Sequence, residues 1–227
     1  MPSLRSLRWL TLLLITLFAS PSFSEIGYIE YSAGVSFVPN QDLDQSSHPN
    51  TGLRGSIELD AGFVIGAAIG LTIFEVEDLG IRTEIAVDYR ETEINGLTIG
   101  PGPPSDANGD FGLMTVMLNA YMDYSLEDFG VNITPYLGIG VGYGRIEISG
   151  DNSAVKFNDT DSVFAYNVML GLTIPYSDTV DFKGGYRYVE TTDPEFSSTV
   201  KTPEIGPTRF DSEFDAHELT IGMRIKF

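Results

Sequence analysis

The chain of 227 residues has no cysteine, which excludes disulfides, cysteine-based zinc or iron–sulfur sites, thiol catalysis and a lipid anchor on cysteine. Basic residues are scarce, because 13 Lys and Arg stand against 32 Asp and Glu and the formal charge is −19. A chain this acidic cannot neutralise a phosphate backbone, so no nucleic-acid partner is expected. No segment offers the 18 or more uninterrupted apolar residues of a transmembrane helix, which excludes a conventional helical membrane protein.

The residues that are abundant point to a β-protein. Apolar residues make up 42% of the chain, which is too much for a disordered acidic tail. The sequence also has 24 glycines, 12 prolines, 14 phenylalanines and 11 tyrosines. Aromatic residues favour strands, and glycine and proline favour the turns between them. The composition therefore predicts an aromatic, turn-rich β-fold.

The N-terminus has the organisation of an export signal. Two arginines precede the apolar run Trp9 to Phe18, and small residues follow as far as Ser24. The run of about ten residues is too short to span a bilayer as a helix, which takes roughly 20. We predict a signal peptide over residues 1–24 and a mature domain over 25–227. Since the removed segment has two arginines and no acid, the formal charge of the mature chain becomes −19 − 2 = −21.

The mature sequence alternates between apolar and polar residues with the period of a β-strand. Near the C-terminus, for example, Leu219, Ile221 and Met223 alternate with Glu218 and Thr220. Eight such segments can be drawn, at about 27–38, 55–74, 79–91, 112–125, 131–148, 161–175, 180–191 and 213–227. The register of residues 27–60 is left open, because the alternation there is looser.

The connections between these segments alternate in length. Long polar links at about 39–54, 92–111, 149–160 and 192–212 are separated by tight turns near 75–78, 126–130 and 176–179. A β-sandwich has no reason to make every second link long, whereas up-and-down membrane barrels have short periplasmic turns and long outer loops. The sequence predicts an all-β fold, an eight-stranded antiparallel up-and-down transmembrane β-barrel.

In a membrane barrel the apolar face contacts lipid and the polar face lines the lumen. Charged residues lie within the polar faces of the strands, and we predict that they form a lumen charge network of mutually neutralising acids and bases. Its predicted members are Glu58, Asp60, Arg82, Glu84, Asp88, Arg90, Asp123, Asp181, Lys183, Arg187, Glu218 and Arg224. Side chains can fill an eight-stranded barrel, so a freely open pore is not expected.

Aromatic residues on the apolar face cluster at the two ends of the strands, as expected for girdles at two lipid–water interfaces. The predicted girdle near the long links comprises Phe37, Tyr89, Tyr143, Phe164, Tyr166, Tyr186 and Tyr188, and the one near the short turns comprises Tyr124, Tyr176 and Phe227. Phe227 also ends the last strand, and a terminal aromatic residue of this kind resembles the signal that barrel-assembly machinery recognises in outer-membrane proteins.

Several segments resemble, in the same order along the chain, the small OmpA-like, opacity-type and surface-antigen barrels of Gram-negative bacteria. They are 82–90, 118–124, 134–144, 164–167, 185–188 and 216–227. The resemblance implies a location in the outer membrane, a lipid bilayer as environment, and periplasmic chaperones and assembly machinery as partners. No peptidoglycan-binding domain follows the barrel in this sequence, so the wall-anchoring role of two-domain relatives is not expected.

Residues suited to catalysis or metal binding are few. Barrel-type lipid A deacylases need a His–Ser pair, but His217 is followed by Glu218 and Leu219. Residues 106–110 begin like a calcium loop, yet the sixth position would be Phe111 and no Glu follows at the twelfth. The alternate glycines of 138–144 lack nucleotide-loop spacing, and we expect them to leave space for facing side chains. No cofactor is predicted, and weak binding of divalent cations by acidic outer loops stays open.

The function predicted from the sequence is that of a non-enzymatic outer-membrane barrel. Its role would be structural or adhesin-like, with the four long links contacting a host or surface ligand, since loops on a rigid scaffold are common binding sites. One alternative is a narrow gated channel lined by the charged face. A second is a lipid A hydrolase that uses His217.

Overall fold

The computed structural model describes residues 27–39, 41–45, 54–99, 105–151, 156–192, 195–198, 208–211 and 214–227. The predicted signal peptide over 1–24 lies outside these ranges. Among the described residues, no helix is both long and apolar enough to cross a membrane.

Strands account for nearly all of the described chain. They are β1 (Gly27–Phe37), β2 (Gln41–Gln45), β3 (Arg54–Leu59), β4 (Gly62–Val76), β5 (Leu79–Ile99), β6 (Ser105–Tyr124), β7 (Thr134–Asp151), β8 (Lys156–Pro175), β9 (Val180–Thr191), β10 (Glu195–Ser198), β11 (Thr208–Asp211) and β12 (Asp215–Lys226). One 3-10 turn, Glu127–Phe129, lies between β6 and β7.

Eight of these strands close into a barrel. In the order β1, β4, β5, β6, β7, β8, β9 and β12, each pairs antiparallel with the next. β12 then pairs with β1, from Tyr28 opposite Lys226 to Phe37 opposite His217. Every strand of the barrel therefore has a neighbour on both sides, and no edge remains along its wall. The predicted eight-stranded antiparallel barrel is confirmed.

The barrel is apolar outside and polar inside. Ile139 and Ile221 on the outer face are 63% and 73% exposed, whereas Arg82 and Glu218 on the inner face are 1% and 0% exposed. Such a continuous apolar outer surface would be unfavourable in water and is suited to lipid. The inverted distribution identifies the barrel as a membrane-spanning one.

The predicted strand over 55–74 is wrong, because the structure divides it into β3 and β4 at Asp60 and Ala61. Both strands pair with β5, but the β3 register shifts between Glu58 and Leu59. The Asp60 backbone leaves the regular ladder, with its N–H donating to the Glu93 carbonyl at 3.1 Å. Apolar residues occupy odd positions on both sides of the break, so the alternation could not reveal it.

Paired strands also continue into the links that the sequence predicts to be loops. β5 and β6 stay paired as far as Leu97 opposite Ser105, and β7 and β8 as far as Asp151 opposite Lys156. β2, β3, β10 and β11 add to the sheet at this same end. Ladder hydrogen bonds use backbone groups alone, so a polar hairpin can pair without any apolar alternation to indicate it. We refer to this end of the barrel as the long-link end and to the opposite end as the short-turn end.

Candidate functional site

The lumen at the short-turn end is organised around the carboxylate of Glu84. It accepts hydrogen bonds from the hydroxyls of Tyr28 at 3.0 Å and Tyr121 at 2.6 Å, and from Asn119 Nδ2 at 3.1 Å. These donors come from β1 and β6, the strands on either side of the β4–β5 pair. A buried charge is tolerable when several donors share it, and Glu84 meets that condition.

Arg82 joins this carboxylate to the aromatic side chains around it. Its guanidinium lies 3.7 Å from the centre of the Tyr121 ring, and its Nε donates to Asp123 at 2.7 Å. Nη1 of Arg82 also donates to the Tyr28 hydroxyl at 3.0 Å. The arginine is held by a carboxylate on one side and a π-face on another, a geometry to which a planar guanidinium is well suited.

Glu30 of β1 links the first strand of the barrel to the last two. Its carboxylate accepts from Lys183 Nζ at 2.6 Å and from Arg224 Nε at 3.4 Å. Asp181 completes the group, with Lys226 Nζ at 2.9 Å and Arg224 Nη1 at 3.8 Å. The two Glu30 pairs cross the seam at which β1 meets β12, so they form only when the barrel is closed. The Asp181 pairs join the neighbouring strands β9 and β12.

We name these charged residues the short-turn network. Its members are Glu30, Glu84, Asp123 and Asp181 with Arg82, Lys183, Arg224 and Lys226. The four acids and four bases balance, so the network is neutral as a whole when each group carries its ordinary charge.

A second group, the long-link network, consists of Asp88, Arg90, Arg187 and Glu218. Glu218 is fully buried. One of its carboxylate oxygens accepts a hydrogen bond from Arg90 Nε at 2.7 Å, and the other accepts one from Arg187 Nε at 2.5 Å. Arg187 Nη1 donates to Asp88 at 2.8 Å, and Arg90 Nη1 donates to Thr115 at 3.2 Å. This network is also neutral, and each charge in it has a partner of opposite sign.

The two networks contain all but two of the residues predicted for the lumen. The side chain of Glu58 lies outside the described part of the structure. Asp60 is exposed instead of inward-facing, because it occupies the break between β3 and β4, and its carbonyl accepts from the Thr92 hydroxyl at 2.7 Å. Glu30 and Lys226 were not predicted from the sequence, although Glu30 is on the polar face of β1 with Ser32 and could have been found from that alternation.

An apolar cluster lies in the lumen beyond the long-link network, and this cluster was not predicted from the sequence. Its members are Val38, Phe111, Leu113, Ile146, Val163, Phe214 and Ala216, each at most 8% exposed. The rings of Phe111 and Phe214 stack with centres 4.8 Å apart. Phe111 lies opposite Thr92, two residues beyond Arg90. The lumen is thus polar over most of its length and apolar at one end.

Inward glycines make space for the tyrosine and asparagine side chains of the lumen. A Cβ on Gly138 would lie 2.5 Å from the Tyr121 ring, and one on Gly140 would lie 1.9 Å from Asn119 Oδ1. The interpretation of these glycines as packing positions is confirmed, and no nucleotide loop is formed there. Residues 106–110 belong to β6, so they do not form the calcium loop considered from the sequence.

The predicted girdle residues lie on the outer face of the barrel. Phe37, Tyr89, Tyr143, Phe164 and Tyr166 at the long-link end and Tyr124 and Tyr176 at the short-turn end are exposed, whereas Tyr186, Tyr188 and Phe227 are half-buried. Toward the long-link end, tyrosine hydroxyls donate to acids two residues along the strand: Tyr89 to Glu91 at 2.5 Å and Tyr188 to Glu190 at 2.9 Å. At the short-turn end, a Cβ on Gly27 would lie 2.9 Å from the Phe227 ring.

His217 faces outward between two of these tyrosines. Its Nδ1 lies 2.6 Å from the Tyr186 hydroxyl, and its ring centre lies 5.2 Å from that of Tyr188. Glu218 points inward and is held by two arginines. Because the two residues lie on opposite faces of the barrel wall, they cannot act together on one substrate, and the geometry gives no support to a hydrolase built on His217.

The turns at the short-turn end carry acids close together. Asp78, in the turn after β4, has its pKa raised by partial loss of solvent and then by the nearby Asp128, Glu77 and Glu127. Glu77 has φ of +51°, a left-handed conformation that favours glycine.

A closed antiparallel barrel with an apolar outer wall and a neutralised polar interior defines the class of β-barrel membrane proteins. Residues 10–227 match the family described as "Outer membrane protein beta-barrel domain". The chain belongs to this family and is a protein of the Gram-negative outer membrane. The short turns of such barrels face the periplasm and the long links face the outside.

Relatives with similar sequences carry related names. An "Outer membrane protein" of Gluconacetobacter diazotrophicus is 27% identical over 223 residues, which cover 88% of this chain and 57% of that protein. "Outer membrane protein PagN" of Salmonella typhimurium is 25% identical over 186 residues, covering 75% and 77% of the two chains. The chain therefore spans little more than half the length of the Gluconacetobacter protein.

Two solved structures have a similar fold. Neisserial surface protein A superposes with a TM-score of 0.51 at 21% identity, covering 88% of this chain and 97% of that one. The outer membrane protease OmpT of Escherichia coli superposes with a TM-score of 0.55 at 8% identity, covering 92% and 99%. One architecture thus accommodates a surface protein and a protease, so the fold alone does not decide whether this chain is an enzyme.

Proposed function

We propose that the chain is a non-enzymatic outer-membrane barrel that acts through its long-link end, as an envelope component and an adhesin-like surface protein. The observation that carries this proposal is the filled lumen. Glu218 and the two arginines bound to it occupy the interior, and the apolar cluster lies beyond them. A barrel without a continuous passage does not conduct solutes through its lumen, so the long-link end is the region available for interaction with a partner.

The strands of the long-link end support this proposal. β5 to β8 continue past the level at which β1 ends, and their hairpins are held by backbone ladders. Segments displayed on a rigid scaffold are well suited to binding, because less conformational entropy is lost when a partner engages them. We expect the partner to be a host or environmental surface ligand.

Export and assembly complete the proposal. Residues 1–24 would be removed as a signal peptide, and residues 25–227 would be inserted with the help of periplasmic chaperones and the barrel-assembly machinery. Phe227, at the end of the final strand, is our candidate for the assembly signal. Mass determination of the protein purified from outer membranes should give a chain that begins at residue 25, and retention of 1–24 would contradict this part.

The interaction role can be tested by loop replacement. Each of the segments 46–53, 100–104, 152–155 and 199–207, which connect the described strands at the long-link end, is replaced in turn by a Gly-Ser segment of equal length, and attachment of cells to host-cell and matrix surfaces is measured. Heat-modifiable migration on gels serves as the control that each variant has folded. We expect at least one replacement to reduce attachment strongly. Full attachment by all four folded variants would contradict the proposal.

The gated-channel alternative is less well supported. A passage would require both charge networks and the stacked Phe111 and Phe214 to move together. Leaving one buried charge without its partner already costs about 3–5 kcal/mol. The interior geometry therefore favours a barrel that stays closed.

A further inference from the structure

A cavity of about 40 Å³ lies between the two charge networks. Glu30, Glu84 and Lys183 of the short-turn network line it from one side, and Asp88 and Arg187 of the long-link network line it from the other. Smaller residues, among them Ser32, Ala68, Ala86 and Thr220, form the rest of its wall. The cavity is thus a polar space at the centre of the barrel.

One charged side chain in this wall lacks a full set of hydrogen bonds. Arg187 is 8% exposed, and its Nε and Nη1 are bound to Glu218 and Asp88. Its Nη2 is buried and has no hydrogen-bond partner within the described part of the chain. Leaving a buried donor unpaired costs about 1–3 kcal/mol, more for a charged group, so a partner is expected.

The charge balance indicates what that partner is. Each network is neutral within itself, so an added anion or cation would be an uncompensated charge in a low-dielectric interior. A neutral molecule with both donors and acceptors meets the requirement. The space needed for one buried water is about 10–15 Å³, which gives room for about three.

We propose that this cavity is a binding site for a small cluster of water molecules that connects the two networks and hydrogen-bonds to Arg187 Nη2. The apolar cluster separates the cavity from the long-link end, so these waters exchange through the short-turn end. The two ion-pair networks then follow one another along the lumen and are connected by water, and the apolar cluster separates them from solvent at the long-link end.

A pair of isosteric substitutions tests whether the cavity is wet. Thr and Val have the same shape, so Ala68→Thr and Ala68→Val fill the cavity equally, but only Thr can replace a water hydrogen bond. We expect the equilibrium constant for unfolding in bilayers to be about three- to tenfold larger for the Val variant, which is the ratio that one net hydrogen bond gives. In a dry cavity the order would be reversed, and that result would overturn the proposal.

The matched control is Ala216, which is fully buried in the apolar cluster at the long-link end and does not line the cavity. There Ala216→Val should be at least as stable as Ala216→Thr, because the hydroxyl finds no water to replace. The same order at both positions would contradict the assignment of water to the cavity.

A crystal structure of the full chain at a resolution that shows ordered water gives the direct observation. We expect density for water within hydrogen-bond distance of Arg187 Nη2, bridging toward the short-turn network. An empty cavity would overturn the proposal, and so would density that refines as a chloride or a metal ion. This measurement does not depend on the stability of any variant.

Discussion

The two halves of the lumen neutralise their buried charges in different ways. In the short-turn network, aromatic rings surround the cations: Arg82 lies over Tyr121, and Lys183 lies 4.8 Å from the centre of the Tyr136 ring. In the long-link network the two arginines depend on Glu218 and Asp88, and the cation–π contacts within the described residues belong to Arg82, Lys183 and Arg224 of the other network.

Solvent access differs as well. The side chain of Lys226 in the short-turn network is 38% exposed, whereas Glu218 in the long-link network is completely buried and lies near the apolar cluster. A partly solvated network with several alternative partners can tolerate the loss of one charge. A buried network in which two arginines share one carboxylate cannot. The comparison implies that the long-link network is the more fragile of the two.

The largest effect is expected at Glu218. Glu218→Gln leaves Arg90 without a carboxylate and Arg187 with Asp88 alone, and breaking a buried pair in this way costs about 3–5 kcal/mol. Urea unfolding of the barrel in lipid bilayers measures the loss. Glu147→Gln is the control, because the Arg145–Glu147 pair has both side chains more than 60% exposed, and it should cost about 0–1 kcal/mol. A Glu218 variant as stable as this control would remove the basis of the comparison.

A smaller effect is expected at Glu30, the corresponding shared carboxylate of the short-turn network. In Glu30→Gln, Arg224 keeps Asp181 and the face of Tyr28, and Lys183 keeps two tyrosine rings. We expect a loss of about 2 kcal/mol, between the values for an exposed and a fully buried pair. The same unfolding experiment gives the number. A loss equal to that of Glu218→Gln would show that the aromatic rings contribute little.

The contribution of the rings can be separated from that of their hydroxyls at Tyr121. Tyr121→Phe keeps the face under Arg82 and removes the hydrogen bond to Glu84, which should cost about 1 kcal/mol. Tyr121→Leu removes both, and the additional loss measures the cation–π contact, expected to be about 1–2 kcal/mol. If the two variants unfold at the same urea concentration, the ring face does not stabilise Arg82.

The smallest effect is expected outside the strand wall, at Asp78. Partial loss of solvent, and after it the neighbouring acids, raise the pKa of this carboxyl above its ordinary value of 3.8, so its charged form is disfavoured in the folded state. Folding stability should therefore rise as the pH falls through the raised pKa, and Asp78→Asn should be more stable than the unsubstituted chain at neutral pH. The advantage should disappear below the ordinary pKa. A pH-independent difference would exclude charge repulsion as its cause.

The sequence predicted the barrel well because strand alternation is a local property. Each residue between two apolar neighbours could be assigned to the inner face without knowing which strands meet. The break at Asp60 was not predicted, because apolar residues occupy odd positions on both sides of it. The paired hairpins of the long-link end were not predicted, because backbone hydrogen bonds form without any apolar alternation in the sequence.

The contacts within the lumen could not be predicted in the same way. Glu30 and Arg224 are 194 residues apart in the chain, and they meet only because β1 closes on β12. The apolar cluster was not predicted because Phe111 and Leu113 are apolar but face inward. Further along the same strand the inward face includes polar residues such as Thr115 and Asn119. Such partners depend on closure and on register, which are properties of the whole barrel.

Planar-bilayer recording of the refolded chain tests the closed lumen most directly. The two networks and the apolar cluster block the interior, so we predict no conductance steps above the background of the bilayer across the tested voltages. Discrete, reproducible steps from the unsubstituted protein would contradict the account and would favour a gated channel.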